Sequence, residues 1–255
     1  MSYDSVRDFY DRLAPDYHLL FPDWDTSMAR QADVLDALVR ARLGPGPHHV
    51  LDCACGIGTQ SIGLALRGHR VTGADLSPVA TARAVAEAAT RGAPLPGVAA
   101  DMRRLPFCDS SYDVVVCADN ALPHLQTAEE VTAALREMRR VLRPAGLLLL
   151  TVRDYDPVRA QRPVSTPPQV AETPVGRTVT FQLWHWHDDG AHYDLEHFQL
   201  VPAGSGWEVR VRRTTYWALT RGELSACVEA AGFAGADWLF PGDSGFYQPV
   251  VTAAR

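Results

Sequence analysis

Three carboxylates stand where apolar, strand-like runs give way to loops. The first lies in Val50-Leu51-Asp52-Cys53-Ala54-Cys55-Gly56-Ile57-Gly58-Thr59, which follows one such run and opens a helical one. Gly56 and Gly58 let the backbone turn sharply and approach a ligand closely. The spacing is not Gly-x-Gly-x-x-Gly, and an acidic residue ahead of the first glycine departs from the dinucleotide fingerprint. A pyrophosphate needs a bare helix N-terminus, whereas Asp52 suits a ligand that carries an ammonium group. Asp75 follows about 20 residues later, where an acidic side chain accepts from ribose hydroxyls. Asp101 and Met102 come just past a third run, a carboxylate for an adenine amino group and a thioether to lie on the ring. Each carboxylate alone reads as a solvated loop residue. Three at the carboxyl ends of successive parallel strands mark the crevice in which open α/β sheets bind ligands.

The elements that must position them alternate. Residues 49–54, 70–74, 98–100, 112–117 and 146–152 read as strands, and 60–66, 78–90 and 127–142 as helices. Near-continuous apolar strands between helices predict a parallel sheet covered on both faces. Ahead of it, residues 5–13 read as a short helix stopped before Pro15. A second helix, capped by Asp25 or Thr26, ends at Gly44-Pro45-Gly46-Pro47. Behind it, the Pro-rich stretch 161–174 reads as a loop. Residues 178–186 and 193–201 flank Asp188-Asp189-Gly190, a strong hairpin signal, and 207–218 is a further strand. Thr220-Arg221-Gly222-Glu223 is a capping box opening a helix to Ala231, and 246–254 closes the chain as a strand, with Pro249 marking an edge or bulge. No linker separates domains. The chain reads as one domain over 1–255, with an N-terminal helical lid at about 1–44 and an antiparallel, substrate-covering insertion at about 157–218.

The 255 residues carry 24 basic and 30 acidic side chains, a net charge of -6. That balance does not attract a phosphate backbone, so no nucleic-acid partner is expected. Every basic residue is Arg, which removes Schiff-base chemistry on lysine. The five cysteines, Cys53, Cys55, Cys108, Cys117 and Cys227, read as reduced thiols of a cytoplasmic protein. The start of the chain has no apolar h-region and no run approaches a membrane span, so no membrane partner is expected.

The ammonium, ribose and adenine positions together describe S-adenosyl-L-methionine. With them the chain resembles the class I methyltransferases, which implies a Rossmann-like seven-stranded sheet, mostly parallel with one reversed strand, and helices on both faces. It implies Asp52, Gly56 and Gly58 near the methionine part, Asp75 on the ribose, and Asp101 and Met102 at adenine, with Leu76 and Ala118 also in the cofactor site. Tyr17 and Arg30 are N-terminal candidates for closing over this cofactor. Within the class the chain is similar to the glycine/sarcosine N-methyltransferases, in Val50 to Gly58, Cys117-Ala118-Asp119-Asn120-Ala121-Leu122-Pro123-His124-Leu125, Arg153-Asp154-Tyr155-Asp156 and Arg213-Thr214-Thr215-Tyr216-Trp217. This implies that Asn120 and Arg153 face the acceptor, with the guanidinium fork on its carboxylate, and that Tyr155, Tyr216 and Trp217 help to enclose it. The other reading of Arg153 is an internal salt bridge to Asp154 or Asp156. Tyrosines of the family's glycine site are replaced here, with Leu20 and His197 in their positions.

The expected chemistry is in-line methyl transfer to a small carboxylate-bearing acceptor, at the nitrogen of an amino acid such as glycine or sarcosine. His124 and His197 are the candidates for removing a proton. O-methylation of a carboxylate, phosphonate or other natural-product intermediate is the main alternative, followed by intramolecular use of the cofactor and by a non-catalytic cofactor-binding protein. His185 and His187 share a strand face near Asp188, but no third ligand is fixed and no metal is expected. Trp184 and Trp186, on the other face, read as acceptor-pocket lining or as core. A homo-oligomer stays open.

Overall fold

The valine run Val114 to Val116 is wholly buried at the middle of a seven-stranded sheet. The computed structural model describes residues 5–173 and 176–255. The last residue of the predicted Pro-rich loop, Pro174, and the first four of the predicted lid lie outside the described residues. In chain order the helices and strands are α1 (Val6–Leu13), α2 (Trp24–Leu43), β1 (His49–Asp52), α3 (Thr59–Leu66), β2 (Arg70–Asp75), α4 (Pro78–Thr90), β3 (Gly97–Ala99) and β4 (Tyr112–Cys117). There follow α5 (Ala128–Val141), β5 (Leu142–Thr151), α6 (Tyr155–Gln161), β6 (Gln169–Thr173), β7 (Gly176–Trp186), β8 (His192–Ala203) and β9 (Gly206–Trp217). The chain closes with α7 (Arg221–Ala230), β10 (Asp237–Leu239), α8 (Pro241–Ser244) and β11 (Val250–Ala254).

The main sheet runs β10-β11-β5-β4-β1-β2-β3. β11 pairs antiparallel with both its neighbours and the remaining pairs are parallel, so one strand is reversed, as the sequence implied. One apolar layer packs Val131, Leu135 and Met138 of α5 and Leu224 and Val228 of α7 against one face of the sheet. Leu35 and Val39 of α2, Ile62 of α3 and Ala84 of α4 pack on the other. Burying each larger side chain of this kind contributes roughly 1.5–3 kcal/mol. Capping fixes where the helices start: Ser77 accepts from the Ala80 N–H ahead of α4, Thr127 from Glu130 ahead of α5, and the Thr220–Glu223 box is complete.

A four-stranded antiparallel sheet, β6-β7-β8-β9, is inserted between β5 and α7. Its β7–β8 turn is the Asp188-Asp189-Gly190 hairpin, with Gly190 at φ 63° and Asp189 accepting from the Ala191 and His192 N–H groups. Five expectations are corrected. α2 is capped by Asp23, not Asp25 or Thr26, because Asp23 takes an extended backbone and both its oxygens bond Thr26. The chain does not stop at Pro15: a 3-10 turn, Ala14–Leu20, continues from α1, with Pro15 in its first turn where no N–H is needed. α6 and β6 lie in the stretch taken for connection and loop. β6 is a largely exposed edge strand, so it carries no apolar alternation. The short β10 was not anticipated. β11 begins at Val250, beyond Pro249, which lacks a donor for the ladder.

The N-terminal segment is wedged between α4 and β9 of the inserted sheet. Arg83 of α4 donates to the carbonyls of Ala14 and Pro15. Asp16 accepts from Arg210 and from the buried Arg212 of β9, each at 2.7 Å.

Candidate active site

The carboxyl ends of β1, β2 and β4 open into a cavity of about 580 Å³, inside the range of roughly 300–1,000 Å³ usual for small ligands. A second cavity of about 370 Å³ lies beside it. Tyr10, Tyr17 and Asp119 line both.

The first cavity holds most of the cofactor candidates. Gly56, Asp75, Leu76, Asp101, Met102 and Ala118 are on its wall, with Tyr17 and His124. Gly56 has φ 51°, and a Cβ there would meet the Tyr17 ring at 3.4 Å, so the loop is a bare cradle under the tyrosine. Gly58, at φ 95°, does not line the cavity; a Cβ there would meet Ile62 at 2.8 Å, so it serves the turn into α3. Asp52 does not line the cavity either. It is wholly buried behind the loop, where it accepts from the Ser61 hydroxyl at 2.6 Å. Burial pushes its carboxyl up to about 7, against the Ser61 and Ala54 hydrogen bonds.

Asp75 accepts from the Gly56 N–H and the Ser77 N–H, each at 2.8 Å, and keeps a lone pair on each oxygen for a diol. Burial raises its carboxyl above the usual range, while those two backbone bonds work against the rise. Asp101 is gripped by Arg103, which itself bridges to Glu130. Burial pushes Asp101 up, but the Arg103 bonds outweigh it and hold the carboxyl low. Asp101 therefore stays ionised and can still accept from an amino group at the cavity wall.

The second cavity collects the acceptor candidates Asn120, Arg153, His197 and Tyr216, together with Leu20 and Arg30. Asn120 and the preceding Asp119 both take left-handed backbone, φ 63° and 58°, a costly choice that Asn and Asp tolerate best. Thr151 fixes this kink: its hydroxyl accepts from the Asp119 N–H at 2.7 Å and its carbonyl from the Asn120 N–H at 3.0 Å. Both ends of the Asn120 side chain are then engaged. Its Nδ2 donates to the Tyr155 hydroxyl at 2.9 Å and its Oδ1 accepts from the Arg153 N–H at 3.0 Å.

Among the described residues no carboxylate lies within salt-bridge distance of Arg153. Asp154 and Asp156, the partners of the alternative reading, face Arg221 instead. The Arg153 guanidinium lies 4.6 Å from the Trp184 ring centroid and 5.9 Å from that of Tyr155, and donates to the Tyr193 hydroxyl at 3.3 Å. An aromatic bed orients this charge and leaves its fork toward the cavity without an anion.

Two acceptor candidates do not reach the wall. Tyr155 is wholly buried at the start of α6 and bonds Asn120 and Tyr193, so it acts through its neighbours. Trp217 alternates to the opposite face of β9 from Tyr216 and stacks on His192. Trp184 packs against Tyr193 under Arg153, and Trp186 donates to the Pro163 carbonyl, so both belong to the packing layer.

The histidines are poorly suited to carry a proton. His124 bonds the Tyr10 hydroxyl at 2.8 Å and lies against Tyr216, and burial lowers it to about 3. Burial, with Arg212 nearby, lowers His197 to about 4; its Nε2 is buried without a partner. His185 and His187 pair with Glu196 and Asp194 far along the hairpin, and no group of metal ligands forms among the described residues.

The sequence reading missed Asp119, Tyr10 and Tyr247. Asp119 accepts from the Tyr17 hydroxyl at 3.3 Å and from the Tyr247 hydroxyl. It sits past the carboxyl end of β4, the position that singled out Asp52, Asp75 and Asp101, so the same rule would have found it. Nothing in the sequence marks Tyr247, which arrives from the loop before β11.

A methyltransferase-domain family model matches residues 50–146. The glycine/sarcosine N-methyltransferase of Parasynechococcus marenigrum (strain WH8102) is 35% identical over 154 residues, 60% of this chain and 51% of that one. The chain spans about half the length of the curated relatives it matches. Among solved structures it is similar to CalS10, an amino pentose methyltransferase from Micromonospora echinaspora, with TM-score 0.74 and 23% identity over 90% of this chain and 92% of that one. It is also similar to the sugar N-methyltransferase KedS8 from Streptoalloteichus sp ATCC 53650, with TM-score 0.71 and 21% identity over 100% and 94%. No helix among the described residues is long and apolar enough to cross a membrane. Residues 50–146 thus carry a methyltransferase domain, on a fold shared with solved S-adenosylmethionine-dependent methyltransferases.

Proposed function

We propose that the protein is an enzyme that transfers a methyl group from S-adenosylmethionine to the amine nitrogen of a small acceptor bearing a carboxylate, an amino acid in the simplest case. The observation that carries this is Arg153, an oriented guanidinium in the second cavity with no carboxylate partner among the described residues. A fork of this kind binds a carboxylate through two parallel hydrogen bonds. The cofactor supplies an activated methyl on a sulfonium. The protein's part is to hold the acceptor nitrogen on that line and to exclude water. In this reading Gly56, Asp75, Asp101 and Met102 hold the cofactor, and Arg153 holds the acceptor, with Asn120 fixing Arg153's backbone.

The second cavity, about 370 Å³ with Leu20 and His197 on its wall, has room for an acceptor larger than glycine. The low proton affinity of both histidines weighs against a hydroxyl acceptor, which needs a base more than an amine does. The test is mass spectrometry of the protein with S-adenosylmethionine and a panel of glycine, sarcosine, larger amino acids and amino sugars. S-adenosylhomocysteine with an N-methylated amino acid is expected. Replacing Arg153 by Met should then raise the acceptor KM at least tenfold, with cofactor affinity unchanged. Turnover only with acceptors that lack a carboxylate would overturn the reading.

A further inference from the structure

Asp119 is the acidic group that meets both cavities. Thr151 locks its backbone in a left-handed conformation. Its carboxylate accepts from two tyrosine hydroxyls that come from opposite ends of the chain, Tyr17 and Tyr247. An acceptor whose carboxylate rests on Arg153 and whose nitrogen points to the first cavity must pass this carboxylate. An aliphatic amine arrives in neutral water as an ammonium ion, with no lone pair to attack a methyl carbon.

We propose that Asp119 receives the proton of the acceptor's ammonium group and is a catalytic residue of the transfer. The proposal rests on the amino-acid reading above. The N–H bond breaks and leaves its electron pair on nitrogen, while the proton forms an O–H bond on Asp119. That nitrogen pair then makes the N–C bond as the C–S pair returns to sulfur, and Asp119 releases its proton to solvent as the products leave. The charged and titratable groups around Asp119 are Tyr17 from the N-terminal turn, Tyr247 from the loop before β11, Arg153 from the loop after β5, Tyr10 of α1 across the shared wall, and Asp52 behind the first loop. Burial raises the Asp119 carboxyl, while the Tyr247 and Tyr17 hydroxyls and Arg153 limit the rise. It therefore holds a proton more readily than an exposed aspartate, as a proton acceptor in a cycle must. His124 and His197, held low by burial, do not compete for the role.

The experiment compares kcat/KM of wild type, Asp119→Asn and Asp119→Glu between pH 6 and 10, on the amino acid the wild type methylates, with calorimetric binding of S-adenosylhomocysteine to each. Asp119→Asn should lose about 100-fold at pH 7 and keep product affinity within about threefold. The deficit should shrink about tenfold per pH unit, as the amine loses its proton in solution instead. Asp119→Glu, which keeps the carboxylate, should recover at least a tenth of the activity and the wild-type pH limb. A deficit of the same size at every pH, or none, overturns the proposal and leaves the amino-acid reading standing. A wild type that methylates no amino acid overturns both.

Discussion

Burial acts on the site's individual side chains in opposite directions. It pushes Asp52, Asp75 and Asp119 up and His124 and His197 down, in each case because burial penalises the charged form. Asp52 gives the cleanest test because it faces no cavity. Its folded carboxyl titrates at about 7 and an unfolded one at about 4. A raised folded value means that its stabilisation is complete below about pH 4 and is lost as pH rises toward 7. Asp52→Asn, which is never charged, should therefore gain stability relative to wild type across that window, by about 3–4 kcal/mol at the top of it, and no more above pH 8. Urea denaturation at pH 4.5 and pH 8 without cofactor reads the difference; equal effects at both would show that Asp52 is ionised throughout.

At the scale of elements, legibility followed the strength of the local signal. The buried strands β1, β2 and β4 and the capped helices α4, α5 and α7 have near-continuous apolar runs or a capping side chain, and they were readable to within a residue or two. β6 and β10 hold their places by pairing with a neighbour, and half-exposed pairing leaves no pattern in a single chain. The site divided in the same way. Asp75, Asp101 and Arg153 stand at strand ends and were readable there. That Arg153 lacks a carboxylate partner among the described residues was not, because it depends on Arg221, distant in sequence, taking Asp154 and Asp156. The capping box offers a direct check: Thr220→Ala should cost about 1 kcal/mol of global stability, read by thermal or urea denaturation, with kcat unchanged because Thr220 lines neither cavity.

For the whole molecule, the N-terminal segment ties the two sheets together. Tyr10 bonds His124, Asp16 bonds β9, Arg83 of α4 holds the carbonyls before it, and Tyr17 reaches Asp119. We propose that it works as a lid, as residues 1–44 suggested. Adding S-adenosylhomocysteine should then slow amide hydrogen exchange across residues 9–20 by at least tenfold, while α7 is unaffected; equal protection in both would mark a general stabilisation. The two cavities share a wall of Tyr10, Tyr17 and Asp119, yet each opens to solvent. If the cofactor fills the first cavity and the acceptor the second, as proposed, the spent cofactor and the methylated product have separate exits. That proposal predicts random release: each product inhibits from its own side, and an acceptor that still has an N–H stays in place for a second methyl while the cofactor is exchanged behind it.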